Sequence, residues 1–159
     1  MNPYYYDLHL HSCLSPCGDE DMTPANMAGM ASLCGLQLVA LTDHNTCGNC
    51  GAFLQACRQY GIVGVPGMEL TTAEEIHLVC LFPDLDTALA FEAEVKAHRR
   101  PVRNRPEIFG RQLYMDAEDH VLGEEPLLLI PAGDLSLADA TALALAHGGA
   151  AFPAHIDRP

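Results

Sequence analysis

Residues 4–12 read Tyr4-Tyr5-Tyr6-Asp7-Leu8-His9-Leu10-His11-Ser12, an aromatic and apolar run that turns polar at its end. Its residue types from Tyr4 to Leu10 predict a β-strand. On an extended chain residues two apart point to the same face, so His9 and His11 can converge on one ion, whereas on a helix the pair would diverge. The next segments repeat this arrangement. Thr23-Pro24 supplies an N-cap followed by proline at the first helical position, and Met27, Met30, Ala31 and Cys34 then fall at helical spacing. This predicts a helix whose methionine stripe packs in the core and which ends at Gly35. Leu36 to Leu41 predicts a strand running into Thr42-Asp43-His44-Asn45, and Ala52 to Tyr60 a helix closed at Gly61. Ile62 to Val65 predicts a buried strand ending in Pro66-Gly67-Met68-Glu69, and Ile76 to Phe82 a further strand with His77 inside it or at its start.

Further along, Asp84 to His98 predicts a helix with Leu85, Leu89, Phe91 and Val95 on its buried side. Six of the eight cationic residues follow closely: Lys96, Arg99, Arg100, Arg103, Arg105 and Arg111. Pro101 and Pro106 interrupt them, so residues 96–130 read as a basic insertion with a hairpin-like excursion between Glu107 and Ile130. It is either a solvated loop or an attractor for an anionic substrate. Ser136 then caps a helix from Leu137 to Ala146, Gly148-Gly149 ends it, and Ala150 to Pro153 is a short strand reaching His155.

Alternating strands and helices argue for an α/β domain built on a parallel sheet or barrel, with functional groups beyond the C-terminal ends of the strands. The motifs fall there: His9 and His11, Asp43-His44, Glu69 and His155. One histidine at a strand end is ordinarily a hydrogen-bonded polar residue. Five at successive strand ends are another matter: desolvating several imidazoles and Glu69 together would cost several kcal/mol without matching charge, and a shared cation set accounts for them economically. Imidazole and carboxylate suit zinc, manganese or iron better than calcium. His98, His120 and His147 lie outside the pattern and read as surface or structural residues.

Composition bounds the partners. Eight Lys and Arg against 21 Asp and Glu give a formal charge of −13, which argues against a duplex nucleic-acid partner. With 49% hydrophobic residues the chain is no disordered acidic tail, and 159 residues suffice for a single domain that needs no structural metal to fold. Seven cysteines and no basic-apolar leader predict reduced thiols and a cytoplasmic protein, and no apolar run has the length of a membrane span. Cys47 and Cys50 have redox-motif spacing, but a lone pair directly after Asp43-His44 is a weak signal.

At these residues the chain resembles the polymerase and histidinol phosphatase (PHP) domain family, metal-dependent phosphoesterases on a distorted (β/α)7 barrel. Asp7-Leu8-His9-Leu10-His11-Ser12 resembles the first motif, Leu41-Thr42-Asp43-His44-Asn45 the second, Gly67-Met68-Glu69 with His77 the third and Pro153-Ala154-His155 the fourth. The resemblance implies two or three divalent ions (Zn, Mn or Fe): His9, His11 and Glu69 on one, Glu69, His77 and His155 on a second, His44 on a third. Two departures stand out. Where the family places a third-ion ligand, this chain reads Ser15-Pro16-Cys17-Gly18-Asp19; Cys17 or Asp19 substitutes, a thiolate favouring zinc or iron, or both are turn residues. The family also carries a late Asp-x-His element, and none follows His155. The barrel is therefore expected to be incomplete at its C-terminal end, either as a piece of a longer chain or as a short form with an open edge that favours a homodimer.

The implied activity is hydrolysis of a phosphate ester of a small metabolite or nucleotide by a metal-activated water. Glu69 bridges the ions and Asp43 handles a proton, or merely orients His44; Arg158 either reaches the phosphate or is an unengaged terminal side chain. The competing expectation is a non-catalytic, regulatory metal-binding module.

Overall fold

A computed structural model of the chain describes residues 3–156. The strand β1 (Tyr6–Leu10) is followed by α1 (Pro24–Leu33), β2 (Leu38–Leu41), α2 (Cys50–Gln59), β3 (Val63–Thr71), β4 (His77–Leu81) and α3 (Leu85–Lys96). Then come α4 (Pro106–Phe109), β5 (Leu113–Met115), β6 (Val121–Glu124), α5 (Leu137–Ala146) and β7 (Ala150–Pro153). The main sheet has the order β1-β2-β3-β4-β7, and β5-β6 form a separate hairpin, where the sequence predicts one.

The sheet is mixed rather than wholly parallel. β1, β2 and β3 run parallel, but β4 folds back antiparallel on β3, with Thr71 opposite His77, and β7 is antiparallel to β4. This reversal makes sense of His77. It opens β4, yet because β4 runs against its neighbours its first residue lies at the same end of the sheet as the last residues of β1, β2, β3 and β7. The sheet is also curled. Four inter-strand gaps of about 4.8 Å would separate the edge strands of a flat sheet by about 19 Å, whereas the rings of His9 on β1 and His155 just past β7 lie with centroids 5.1 Å apart. The result is an α/β fold on an incomplete barrel, with all functional ends drawn to one rim.

Helices α1, α2, α3 and α5 pack their buried stripes into one core with the sheet. Thr23 caps α1 by accepting from the Asn26 N–H, Asp84 caps α3 from the Thr87 N–H, and Ser136 caps α5 from the Asp139 N–H. The buried stripe of α1 is Pro24, Met27, Ala28 and Ala31. Met30 and Cys34, expected inside, are exposed, because Met30 lies about 110° around the helix from the centre of that stripe. On α3 the inward residues are Ala88, Phe91, Glu92 and Val95, and Leu89 is turned outward. A hydrophobic pattern passes over Glu92, which is buried because its carboxylate accepts a 2.6 Å bond from Thr46 Oγ1 and pairs with Lys96.

The basic insertion is pinned to the barrel by buried amides. Asn49 ties it there, donating to the Leu113 carbonyl and accepting from the Met115 N–H, while Gln112 holds the insertion together internally, donating to the carbonyls of Glu125 and Leu127 and accepting from the Leu129 N–H. Much of its charge is already matched: Lys96 pairs with Glu92, Arg99 with Glu125, and Arg111 with Glu124 and Glu20.

Candidate metal centre

Glu69, near the end of β3, is fully buried, and five imidazoles converge on its carboxylate. Oε1 lies 3.1 Å from His9 Nε2, 3.0 Å from His77 Nδ1 and 3.3 Å from His155 Nε2. Oε2 lies 3.1 Å from both His11 Nε2 and His44 Nδ1. Local backbone produces this convergence. His9 and His11 sit two apart where β1 ends, His44 is bridged to Glu69 just past β2, and His155 adopts a left-handed φ of 53° after β7 that turns its ring back to the rim.

A carboxylate has about four lone-pair directions, too few for five donors, and the nitrogens also crowd one another. His9 Nε2 and His11 Nε2 are only 3.2 Å apart. His44 Nδ1 and Glu69 Oε2, though close, are not aligned as a hydrogen bond, and both atoms are buried without a partner. Such orphaned atoms are costly in a dry site unless a cation satisfies them. The 3.0–3.3 Å spacing also fits ligands of a common ion, since zinc bonds of about 2.0–2.1 Å set neighbouring tetrahedral ligands about 3.3 Å apart. The donor set therefore fits divalent metal. Among the described residues, three groups have ligand atoms mutually within 4.8 Å: His9-His11-Glu69, His44-Glu69-His77 and His11-Cys17-His44.

Electrostatics point the same way. Burial alone would raise the Glu69 carboxyl, but the facing imidazoles of His11, His77 and His9, together with that of His44, outweigh it and hold the group far below the ordinary carboxylate range. Burial pushes His44 down to about 4, assisted by the neighbouring histidines and opposed by Glu69, so its ring is neutral near pH 7, the form that ligates.

Asp43 sits one layer behind this cluster. Its buried carboxylate accepts from the Ser12 N–H, Ser12 Oγ and Ser15 Oγ, each at 2.7 Å. Burial raises its pKa, partly offset by those two serines. Ser15 Oγ is the node: because its proton is directed to Asp43, it accepts from the His44 N–H at 3.0 Å and from His11 Nδ1 at 3.3 Å. That bond places the proton of His11 on Nδ1 and leaves Nε2 to face Glu69. Asn45, at φ 53°, accepts from the Thr71 N–H and donates to the Leu129 carbonyl, tying the rim to the insertion. Ser12, Ser15 and Asn45 lie within the sequence motifs, which by themselves assign them no role. Their signal is position alone, directly beside the ligand histidines.

Of the two substitute residues, Cys17 lies with His11 and His44, whereas the Asp19 carboxylate accepts from the Asp21 N–H in an exposed turn. Arg158 lies outside the described residues. Cys47 and Cys50 are buried and both donate to the Gly67 carbonyl; their mutual bond and burial raise Cys47 well above the ordinary thiol range, an environment opposed to redox exchange. His98, His120 and His147 pair with Asp134, Asp116 and Glu94, away from the cluster.

Comparison with solved structures places this fold among known ones. A Bifidobacterium adolescentis protein assigned as a metal-dependent phosphoesterase superposes with a TM-score of 0.68 at 19% identity, over 97% of this chain and 68% of its own. A Chromobacterium violaceum amidohydrolase, determined with sulfate and no metal, gives 0.62 at 22% identity over 96% of this chain and 67% of that one. A lesion-specific endonuclease from Pyrococcus furiosus gives 0.64 at 20% identity over 97% of this chain but only 35% of its own length. At these identities the likeness is one of fold. No curated protein matches the sequence. The family model of the PHP domain, however, matches residues 7–129, the span that carries His9, His11, His44, Glu69 and His77, and on that match the chain belongs to the PHP domain family.

Proposed function

We propose that the chain is a metal-dependent phosphoesterase that hydrolyses a phosphate ester of a small metabolite or nucleotide. The observation that carries this reading is the buried Glu69 carboxylate ringed by five imidazoles with unsatisfied atoms on both sides. His9, His11 and Glu69 would hold one divalent ion, Glu69, His77 and His155 a second, and His44 a third, with Zn, Mn or Fe as the fitting metals. Bound divalent ions supply an activated water and neutralise phosphoryl oxygens. The chain's own residues do the rest: Glu69 fixes the spacing of the histidines, Ser15 and Asp43 hold His11 in the ligating tautomer, and Asp43, one bond from that serine, accepts or returns a proton through it.

Two features favour a small ester. A cavity of about 500 Å³ opens beside His77, walled by Thr71, Phe109, Leu128, Ile130 and Pro131, and its apolar side fits a nucleobase or similar group. The net charge of −13 disfavours a duplex. Two of the three similar proteins, named a phosphoesterase and an endonuclease, agree with phosphoric ester chemistry, while the third is named an amidohydrolase. A second copy of the chain is the partner we infer for the open sheet, since β1 and β7 each pair on one side only among the described residues. The test is hydrolysis of p-nitrophenyl phosphate and a nucleotide panel by metal-loaded protein, with His9→Ala as control. Turnover lost in the variant is expected; stoichiometric metal with no ester cleaved would favour a binding module instead.

A further inference from the structure

The loop between β1 and α1 holds a sulfur where the rest of the centre offers nitrogen and oxygen. We propose that Cys17 is a direct metal ligand, completing with His44 a nitrogen-sulfur site beside His11 that selects a thiophilic ion such as Zn²⁺ or Fe²⁺ over Mn²⁺ or Mg²⁺; the inference rests on the metal reading above.

The geometry is specific. Sγ of Cys17 and one ring nitrogen each of His11 and His44 lie mutually within 4.8 Å. His44, 6% exposed, has its Nδ1 buried without a hydrogen-bond partner, so an unsatisfied polar atom stands in the same cluster. The loop is built to keep the sulfur there. The Ser15 N–H donates to the Ser12 carbonyl and the Gly18 N–H to the Ser15 carbonyl. At Gly18 a β-carbon would meet the Ser12 carbonyl oxygen at 2.2 Å, so only glycine allows this turn to close immediately after Cys17. Ser15, the residue two before Cys17, is bonded to both His11 and the His44 backbone, so one short loop positions all three candidate ligands. Asp19, the alternative hard ligand, accepts from the Asp21 N–H in an exposed turn and belongs to none of the three ligand groups among the described residues. A thiolate is softer than carboxylate and suits Zn²⁺ or Fe²⁺. On binding, the Cys17 S–H bond breaks, its proton passes to solvent and the sulfur–metal bond forms.

Co²⁺ substitution of the chelated full chain reads the sulfur directly. Wild-type protein is expected to show a thiolate-to-Co²⁺ charge-transfer band in the near ultraviolet together with visible d–d bands. Cys17→Ser is expected to lose the first and keep the second, and to bind Zn²⁺ at least about tenfold more weakly with little change for Mn²⁺. Alkylation adds an internal control, because Cys17 and Cys34 are both exposed: Zn²⁺ should protect Cys17 and leave Cys34 reactive. Visible d–d bands without charge transfer in the wild type, or a charge-transfer band that survives in Cys17→Ser, would overturn the proposal and leave the phosphoesterase reading standing. Absence of any Co²⁺ or Zn²⁺ binding would overturn both.

Discussion

Ser15 shows how much a single hydroxyl organises. Buried, with one proton directed to Asp43 and two acceptor contacts from His11 and the His44 backbone, it couples the candidate ligands to the Asp43 carboxylate behind them. Ser15→Ala is expected to destabilise the metal-free protein by about 1–3 kcal/mol, the cost of leaving buried partners unpaired, and to weaken Zn²⁺ binding by roughly 10–100-fold. Urea melts and a competition titration check the two effects separately, and an unchanged Zn²⁺ affinity would remove Ser15 from the ligand-orienting role. The ligand candidates themselves were legible in the sequence because imidazoles at successive strand ends have few other uses. Ser15 was not, since a serine in a Ser-Pro turn is common everywhere; its importance depends on Asp43 and His44, 28 and 29 residues away in sequence.

At the level of elements, the loop after β1 and the β3–β4 hairpin decide whether the site assembles. The loop leaves no room at Gly18, where the nearest atoms to an added methyl are Ser12 backbone. Gly18→Ala is therefore expected to cost about 1–3 kcal/mol through overpacking and to displace Cys17 from His11 and His44, read as loss of thermal stability together with loss of Zn²⁺ protection of Cys17 from alkylation. A variant that keeps both would show the turn to be less constrained than its contacts indicate. Strands β1, β2, β4 and β7 and the capped helices α1, α3 and α5 follow from residue patterns, within a residue or two of the expected limits, but β3 runs six residues past the expected Val65 to Thr71, so Glu69 lies inside it. The direction of β4 does not. Periodicity marks a strand but carries no sign, so the antiparallel return that brings His77 to the shared rim becomes visible only through its pairing with Thr71. Inward-facing Glu92 escaped for a similar reason: its burial depends on Thr46 and Lys96, not on its own polarity.

The molecule is an open α/β sheet curled tightly enough to bring its two edge strands' histidines into contact while leaving their outer edges unpaired among the described residues. Large apolar residues stand exposed near those edges, among them Tyr4, Tyr5 and Tyr6 beside β1 and Phe152 and Ile156 by β7. Edges of this kind pair readily, and light scattering is expected to give a mass rising with concentration above the 17.1 kDa of one chain; a constant monomer mass at all concentrations would exclude the second copy as partner. No helix among the described residues is long and apolar enough to cross a membrane. The central claim is that Glu69 and its five histidines are a metal-ligand set, and elemental analysis of chelator-free protein tests it most directly. Wild type is expected to retain at least two equivalents of Zn, Mn or Fe per chain and Glu69→Gln, near-isosteric and folded by circular dichroism, well under one; metal-free wild type after reconstitution, or equal metal content in the two proteins, would contradict it.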